Sequence, residues 1–423
     1  MSISQRDLIR DILNWGKEHG VVLNGVKAKA IPNRGIGLVA TRALKPGDTV
    51  LSIPLKATRN IKNIHPPIIF KTHDAGITDI TVHSLLAVDL IISFQNNPAR
   101  TTPNHNPWLA ALPSLEDFTK TTPYFFPPEL QALLPKPACD IIAKQNRIIN
   151  HDFSILSDIY WPGSGRNLMT KEQFVHAWFI VNTRTFHYLP PGMDEKKVSW
   201  DDQMALVPIA DLVNHGDGEG CVFGFSEDGF VAIVEKEYHR GEELSLCYGR
   251  HGNDSLLAEY GFIMGLNLEQ VDENEEGRSA ENRWDTVDLE EAVRAVGARQ
   301  LGREMRTEEL EGKGLKMDCK GNIGGDVMNV LGNMVEGNDH EGDVDERVKQ
   351  LLRDVLLALN ERYREVLGRW KINGETVGEE SQWDILVRRW AQIELIVDRA
   401  RERQGRGKVS AGGRRRSQCL DSN

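Results

Sequence analysis

The sequence predicts an α+β fold: a β-rich core, interrupted by a long helical insertion and followed by a C-terminal helical lobe. Strand-like runs lie on both sides of a helical middle, and an acidic, Gly-rich stretch begins after residue 265. Two amphipathic segments follow from residue 344 onward. This order lacks the regular strand–helix alternation of a doubly wound parallel sheet, so that class of fold is excluded.

Chain length and net charge limit the classes of function that the protein can have. A chain of 423 residues suggests about two or three domains. The 62 acidic residues outnumber the 51 basic ones and give a formal net charge of −11. This balance argues against nucleic acid as the main partner, because phosphate binding needs a positive field. It favours a basic protein or peptide, which a negative surface attracts over long range.

The five cysteines are scattered and odd in number: Cys139, Cys221, Cys247, Cys319 and Cys419. They contain no Cys-x-x-Cys pair, so we expect neither a disulfide framework nor a metal site. A reducing compartment, cytoplasmic and/or nuclear, follows from this. The most apolar stretch, residues 85–94, is shorter than the roughly 18 residues of a spanning helix, and the N-terminus lacks a signal-peptide pattern. We therefore expect no membrane partner.

Local signals assign the elements before residue 265. Residues 4–17 have the apolar spacing of an amphipathic helix, with Ser4 and Asp7 as candidate caps. Residues 35–44 and 49–53 are predicted as the two strands of one hairpin, because Lys-Pro-Gly-Asp between them suits a tight turn.

The middle is predicted to be mainly helical. Helices are expected over residues 81–95 and after Pro137, and Thr170 with Gln173 forms a capping-box pattern that starts another. Strand character returns at residue 206. Three further strand-like runs cover residues 221–225, 230–234 and 244–248.

These signals divide the chain into five parts: an N-terminal helix (1–24), a β-rich domain (25–265) with its insertion (61–200), an acidic linker or loops (266–343), a helical lobe (344–400) and a basic flexible tail (401–423). Residues 269–288 and 307–343 are poor in large apolar side chains, which predicts solvated loops or partial disorder.

Residues 35–40 read Gly-Ile-Gly-Leu-Val-Ala and satisfy the dinucleotide-binding pattern G-x-G-x-x-A. That pattern requires a helix directly after the glycines, whereas here a turn and another strand follow, so we reject a dinucleotide-binding (Rossmann) site. Two interpretations remain open. The glycines either permit close packing within a hairpin or expose the backbone to a small cofactor.

Five motifs in fixed order together resemble the SET-domain protein methyltransferases. Within that family the chain is most similar to the branch of the plant Rubisco large-subunit methyltransferase and the ribosomal-protein lysine methyltransferases. The motifs are Asn-Arg-Gly-Ile-Gly-Leu-Val-Ala (33–40), Trp-Leu-Ala-Ala-Leu-Pro (108–113), Phe-Ile-Val-Asn-Thr-Arg-Thr-Phe (179–186), Pro-Ile-Ala-Asp-Leu-Val-Asn-His (208–215), and Leu-Cys-Tyr-Gly (246–249) with Asn-Asp-Ser-Leu-Leu-Ala-Glu-Tyr-Gly-Phe (253–262). The resemblance covers residues 25–262.

The resemblance implies S-adenosyl-L-methionine as the cofactor and a protein as the substrate. The positions that it assigns to cofactor binding are Arg34, Gly35, Ile36, Arg184, Asn214, His215, Tyr248 and Phe262. Tyr248 is the implied catalytic residue at the methyl-transfer channel. The implied substrate pocket contains Asp211, Tyr260 and Phe262, with Asp211 orienting its neighbours or the substrate.

The chemistry of methyl transfer suits these residue types. A lysine nucleophile must lose its proton first, which at pH 7 costs about 4–5 kcal/mol. A channel with aromatic walls disfavours the charged amine and lowers that cost. Two departures from the family pattern stand out: Gly216 replaces a serine, which predicts a looser loop beside the pocket, and the histone-type cysteine cluster is absent.

The sequence thus predicts a protein-lysine N-methyltransferase with a non-histone substrate, such as a ribosomal or other basic protein. A protein-histidine N-methyltransferase is one alternative, because neutral imidazole needs far less deprotonation. A SET-fold binding module without turnover and an acidic scaffold are the others. The oligomeric state does not follow from the sequence.

Overall fold

The computed structural model describes residues 4–32, 34–65, 80–100, 104–160, 169–189, 202–216, 220–226, 228–265, 282–310, 312–336, 343–373 and 377–413, with residues 68, 76, 102, 196, 199 and 218. The chain divides into two compact units. The first comprises residues 1–118 and 143–250, and the second comprises residues 119–142 and 251–423.

The first unit holds most of the β-structure. Its strands are β1 (Val22–Leu23), β2 (Val26–Ile31), β3 (Gly35–Ala40), β4 (Thr49–Pro54), β5 (Arg59–Asn60), β6 (Thr185–His187), β7 (Met204–Leu206), β8 (Asn214–His215), β9 (Cys221–Ser226), β10 (Gly229–Val234) and β11 (Ser245–Leu246). They form small sheets in the orders β1-β4-β10-β9, β2-β3, β5-β7-β6 and β8-β11. Inward-facing side chains such as Leu38, Ile53 and Phe230 form its core.

One predicted pairing is wrong. Strand β3 pairs antiparallel with β2, from Val26 opposite Ala40 to Ile31 opposite Gly35. Strand β4 pairs instead with β1 and β10. The turn at residues 45–48 forms as predicted, with Asp48 N–H donating to the Lys45 carbonyl at 2.9 Å. A local turn signal therefore joins two strands that belong to different sheets.

The predicted helices of the N-terminal half are present, together with two short helices between residues 115 and 131 that the sequence did not predict. They are α1 (Gln5–Glu18), α2 (Val82–Asn96), α3 (Leu115–Thr121), α4 (Pro128–Gln131), α5 (Lys136–Tyr160) and α6 (Lys171–Arg184). Helix α1 begins after Ser4, whose hydroxyl accepts from Asp7 N–H. Helix α6 begins at the predicted capping box, because Thr170 and Gln173 exchange side-chain to backbone hydrogen bonds.

The second unit is mainly helical and contains α7 (Asn253–Tyr260), β12 (Thr286–Asp288), α8 (Glu290–Leu301), β13 (Lys316–Asp318), α9 (Gly325–Glu336), α10 (Val344–Asn373) and α11 (Glu380–Gly413). Its buried side chains include Val293, Met317, Leu331 and Leu386. Residues 286–336 thus contribute strands, helices and core, where the composition predicted loops. Helix α11 also continues to Gly413, into the predicted flexible tail. The acidic residues 266–281 lie outside the described residues.

A buried ion network stabilises this unit. Arg389 on α11 is fully buried and donates to Asp254 at 2.6 Å and to Asp285 at 2.7 Å. Because all three charged groups are removed from water, loss of one partner would leave the others buried without a compensating charge. None of the helices within the described residues is long and apolar enough to span a membrane.

Candidate active site

The site is built on the first unit, where β3, β8 and β11 meet. Strand β8 pairs parallel with β11, Asn214 opposite Ser245 and His215 opposite Leu246. Strand β3 joins through an isolated bridge between Val39 and Glu243. These short strands bring the glycine motif, the Asn-His pair and the segment before Tyr248 together, as the sequence predicted.

The β2–β3 hairpin presents Arg34, Gly35 and Ile36 at its turn. Arg34 is exposed, and its guanidinium donates to the His215 carbonyl at 2.7 Å and to Glu243 at 2.9 Å. Gly35 has φ +72°, and a Cβ built on it meets no atom within 4 Å. Ile36 is half-buried and packs against the core of the unit. The hairpin therefore has backbone open to a ligand.

Gly37 is buried, and a glycine is needed here because neighbouring side chains lie close to its backbone. A Cβ at this position would lie 2.8 Å from the Glu243 carboxylate and 3.1 Å from the Asn214 amide nitrogen. The absence of a side chain thus lets both polar groups lie over the strand. Asn214 donates to Glu243 at 2.7 Å. The close-packing interpretation of the glycine motif applies at Gly37. The cofactor interpretation, which the open backbone at Gly35 supports, stays a prediction.

Glu243 is a site residue that the sequence did not reveal. Its two carboxylate oxygens accept from Arg34 and Asn214, which belong to separate predicted motifs. Glu243 lies just before residues 244–248, which the sequence predicts as a strand, and belongs to no predicted element. The isolated Glu carries no motif of its own, and its role depends on a contact across 209 positions of sequence.

Tyr248 is held at both its backbone and its hydroxyl. Its N–H donates to His215 Nδ1 at 3.1 Å, and its hydroxyl donates to the Val213 carbonyl at 2.7 Å. The two rings lie 5.0 Å apart. Since Nδ1 accepts a backbone hydrogen bond, the neutral His215 ring carries its proton on Nε2. Burial raises the pKa of the Tyr248 phenol to about 12, although Arg184 opposes this rise.

Arg184, which is partly exposed, contacts the buried Asp211 in the same unit. Arg184 is the last residue of α6 and donates to the Asp211 carbonyl at 2.7 Å. The Asp211 carboxylate accepts from Trp108 Nε1 at 2.9 Å and lies 3.6 Å from the Arg184 guanidinium. Burial raises the pKa of the Asp211 carboxyl, and Arg184 opposes the rise. Asp211 thus contacts Arg184 and Trp108, and its expected role at the substrate pocket stays a prediction.

Gly216 does not mark a loose loop. A Cβ at Gly216 would lie 2.7 Å from the Ser245 Cβ, and its N–H donates to the Leu246 carbonyl at 3.0 Å. A Cβ at Gly220 would lie 2.3 Å from the Ser245 carbonyl oxygen. Gly216 and Gly220 thus each lie tightly against Ser245 of β11, so close packing explains the glycine that departs from the family pattern. Residues 217 and 219 of the predicted loop lie outside the described residues.

The turn that leads into Asp211 is strained. Ile209 has φ +76° and ψ −41°, which a β-branched residue rarely adopts. Its side chain is fully buried, and its Cδ1 would lie 2.4 Å from a Cβ at Gly16 of α1. The N-terminal helix therefore packs directly against this turn.

Tyr260 and Phe262 belong to the second unit. Their rings are 6.1 Å apart, and both side chains are half-buried. Tyr260 ends α7, and the left-handed Gly261 separates the two aromatic residues. That they share one channel with Tyr248 stays a prediction. Among the described residues, no group of His, Cys, Asp or Glu side chains could hold a metal ion.

Comparison with solved structures identifies the fold. The SET domain of LSMT bound to lysine and AdoHcy superposes with a TM-score of 0.54 at 15% identity, over 96% of this chain and 93% of that one. Rubisco LSMT bound to AdoMet gives a TM-score of 0.55 at 15% identity, over 97% and 93%. The chain therefore has the SET-domain fold, and the α+β prediction is confirmed.

Curated relatives agree with this result. The actin-histidine N-methyltransferase of Xenopus tropicalis is 23% identical over 297 residues, which cover 69% of this chain and 49% of that protein. SET domain-containing protein 4 of Homo sapiens is 25% identical over 264 residues, which cover 60% and 58%. The chain thus spans about half the length of the curated relatives that it matches. No family model matches it.

Proposed function

We propose that this protein is an S-adenosylmethionine-dependent protein methyltransferase that acts on a side-chain nitrogen. The observation that carries the proposal is the junction of β3, β8 and β11. There the open backbone at Gly35, the Asn214–His215 pair and the anchored Tyr248 belong to one compact unit. These residues are among those that the family resemblance assigned to cofactor binding and catalysis.

The residues present fit such a cofactor. The open space at Gly35 leaves room for a ligand beside the backbone, and Arg34 supplies a partly exposed cation next to it. The Asn214 amide nitrogen is held by Glu243, which orients the amide oxygen as an acceptor. Arg34, Gly35, Ile36, Asn214 and His215 would hold the cofactor, which when bound supplies an electrophilic methyl group on a sulfonium.

Tyr248 would contribute by position and polarity. Its hydroxyl proton is committed to the Val213 carbonyl, so the oxygen lone pairs point elsewhere and can accept weak C–H···O contacts from a polarised methyl group. Its raised pKa keeps the phenol neutral at physiological pH. Tyr248 therefore acts as an oriented acceptor and not as a general base. Alignment of an acceptor nitrogen with the methyl group supplies much of the rate in such a displacement.

Lysine is the acceptor that we propose first. The solved LSMT structure with bound lysine superposes over nearly the whole chain, including the helical second unit. Histidine is the second candidate, because several curated relatives are named actin-histidine N-methyltransferase. The acidic net charge supports a basic protein substrate. We also propose a cytoplasmic or nuclear location. The supporting observation is that the four described cysteines form no disulfide.

Transfer of isotope-labelled methyl groups tests the proposal. The purified protein is incubated with labelled S-adenosylmethionine and cell extract, beside the Tyr248→Phe variant, and labelled proteins are digested and sequenced by mass spectrometry. We expect label on lysine that depends on Tyr248. Label on histidine would support the second candidate.

Binding of S-adenosylhomocysteine to the purified protein separates the remaining possibilities. Binding without protein labelling would indicate a non-catalytic SET-fold module. The proposal fails if the protein neither binds S-adenosylhomocysteine nor labels any protein, and an acidic scaffold would then be the better hypothesis.

A further inference from the structure

We infer that Glu243 is a positioning residue of this site, which sets the orientation of Arg34 and Asn214 and thereby the affinity for the cofactor. The inference rests on the proposed function and adds to it a residue outside the recognised motifs. Glu243 is argued to act through its two neighbours and not by touching the reacting atoms.

The geometry is that of a two-sided acceptor. One carboxylate oxygen lies 2.9 Å from Arg34 Nη1, and the other lies 2.7 Å from Asn214 Nδ2. Arg34 in turn donates from Nη2 to the His215 carbonyl at 2.7 Å. The carboxylate therefore links the hairpin turn to strand β8 through a closed set of contacts. We call Arg34, Asn214 and Glu243 the Glu243 cluster.

The backbone around Glu243 is fixed by the surrounding strands. Leu244 N–H donates to the Leu38 carbonyl at 2.8 Å, and Ala40 N–H donates to the Glu242 carbonyl at 2.9 Å. Both bonds attach the chain at Glu243 to β3. The Glu243 side chain then extends over Gly37, where a Cβ would approach to 2.8 Å. Its place in the site is thus determined by the fold on both sides.

The solvent exposure of the Glu243 cluster indicates that its ion pair contributes little to the stability of the fold. The Arg34 side chain is 44% exposed and that of Glu243 is 19% exposed. Ion pairs with such access to solvent contribute little to global stability. Loss of the carboxylate would instead leave the Arg34 guanidinium, among the described residues, with the His215 carbonyl as its partner, and would remove the bond that fixes the Asn214 amide. The effect is expected on ligand binding more than on folding.

A matched pair of variants tests the inference. Glu243→Ala removes the carboxylate of the cluster. Glu242→Ala removes a neighbouring carboxylate that accepts from the His239 N–H of its own exposed turn at 2.7 Å. Binding of S-adenosylhomocysteine is measured by calorimetry, which needs no protein substrate. We expect about tenfold weaker binding for Glu243→Ala, or about 1.4 kcal/mol, and no change for Glu242→Ala.

Non-additivity is the readout that a merely structural residue would not give. If Glu243 acts partly through Asn214, the double variant Glu243→Ala/Asn214→Ala should lose less binding free energy than the sum of the two single losses. In turnover, the KM for S-adenosylmethionine should rise while the KM for the protein substrate stays the same. Glu243→Gln keeps the side-chain volume and one acceptor oxygen, so its affinity should lie between the wild type and the alanine variant.

The outcomes separate this inference from the proposed function. If the wild type binds S-adenosylhomocysteine and Glu243→Ala binds equally well, the inference is overturned and the function stands. Strictly additive losses in the double variant overturn it too. If the melting temperature of Glu243→Ala lies well below that of Glu242→Ala, the isosteric Glu243→Gln variant is compared with the wild type instead. Weaker binding of S-adenosylhomocysteine by Glu243→Gln then supports the inference, and equal binding overturns it. A wild type that binds no S-adenosylhomocysteine overturns both.

Discussion

The phenolic oxygen of Tyr248 lies 2.7 Å from the backbone carbonyl oxygen of Val213, to which its hydroxyl donates a hydrogen bond. The backbone N–H of Tyr248 donates to His215 two residues farther along. Both contacts fall on the segment that enters and forms β8. The position of the phenol is therefore coupled directly to the Asn214–His215 pair.

Replacement of Tyr248 by phenylalanine should preserve the ring and remove both the anchor and the acceptor oxygen. Losing one hydrogen bond and one weak C–H···O contact amounts to about 1–2 kcal/mol, so we expect kcat to fall about tenfold. Cofactor affinity should change much less. Steady-state kinetics with calorimetry measures both quantities.

Tyr188→Phe is the matched control for that experiment. The Tyr188 side chain is buried, and its hydroxyl has no hydrogen-bond partner among the described residues. Removing it should leave kcat unchanged and stabilise the fold slightly, since an unsatisfied buried hydroxyl costs about 1–3 kcal/mol. Equal losses of kcat in the two variants would contradict the role given to Tyr248.

The pH dependence of turnover should not reflect ionisation of the Tyr248 phenol. Burial raises its pKa to about 12, so the phenol stays neutral throughout the range from pH 7 to pH 10. The rate should rise with pH as the acceptor lysine loses its proton. Tyr248→Phe should lower this profile without shifting its midpoint. A midpoint that moves in the variant would show that Tyr248 ionises within the range.

The raised pKa of Tyr248 also affects the stability of the fold at high pH. A phenol with a raised pKa in the folded state contributes stability that is complete below its unfolded value near 10 and is lost as pH rises through the folded value. The melting temperature of the wild type should therefore fall more steeply than that of Tyr248→Phe between about pH 10 and pH 12. Thermal denaturation across this range measures the difference.

Gly216→Ser should destabilise the protein although serine is the residue that the family pattern leads one to expect. The new Cβ would lie 2.7 Å from the Ser245 Cβ, so the neighbouring chain must shift. Overpacking of this kind costs about 1–3 kcal/mol. Adding Ser245→Gly removes the opposing side chain and should recover most of the loss. Additive effects in thermal denaturation would refute the steric explanation.

Arg389→Leu should strongly destabilise the second unit. The substitution leaves Asp254 and Asp285 buried without their shared cation, and breaking such a pair costs about 3–5 kcal/mol. Arg388→Leu is the control, because Arg388 faces an exposed Asp384 at 3.3 Å and should cost less than about 1 kcal/mol. Urea denaturation distinguishes them. Similar midpoints for both variants would mean that the network contributes little.

The sequence predicted well those features that depend on neighbours in the chain. The capping box at Thr170 and the cap at Ser4 are local hydrogen bonds, so their residues identify the helix ends directly. The strands β9 and β10 were found for the same reason, because their alternation and the turn between them lie within a short segment. The residues of the site were recognised as motifs, and the structure joins those of the first unit.

Features that depend on distant residues were missed. The partner of β3 is β2, whereas the turn at residues 45–48 suggested β4, since no local signal distinguishes one antiparallel partner from another. Glu243 gains its role only through Arg34, far away in sequence. Within residues 282–336, sparse apolar residues such as Val287 and Met317 are nearly fully buried, although the surrounding charge suggested solvated loops.

The unusual backbone of Ile209 has a practical consequence for protein engineering. A β-branched residue with φ +76° costs of the order of 1–3 kcal/mol and persists only where its surroundings enforce it. Gly16 lets α1 lie against the Ile209 side chain, so the first helix helps to enforce it. A shortened protein that begins at residue 25 would lack this support for the turn before Asp211. Residues 4–24 should therefore be kept in any version intended for crystallisation or assay.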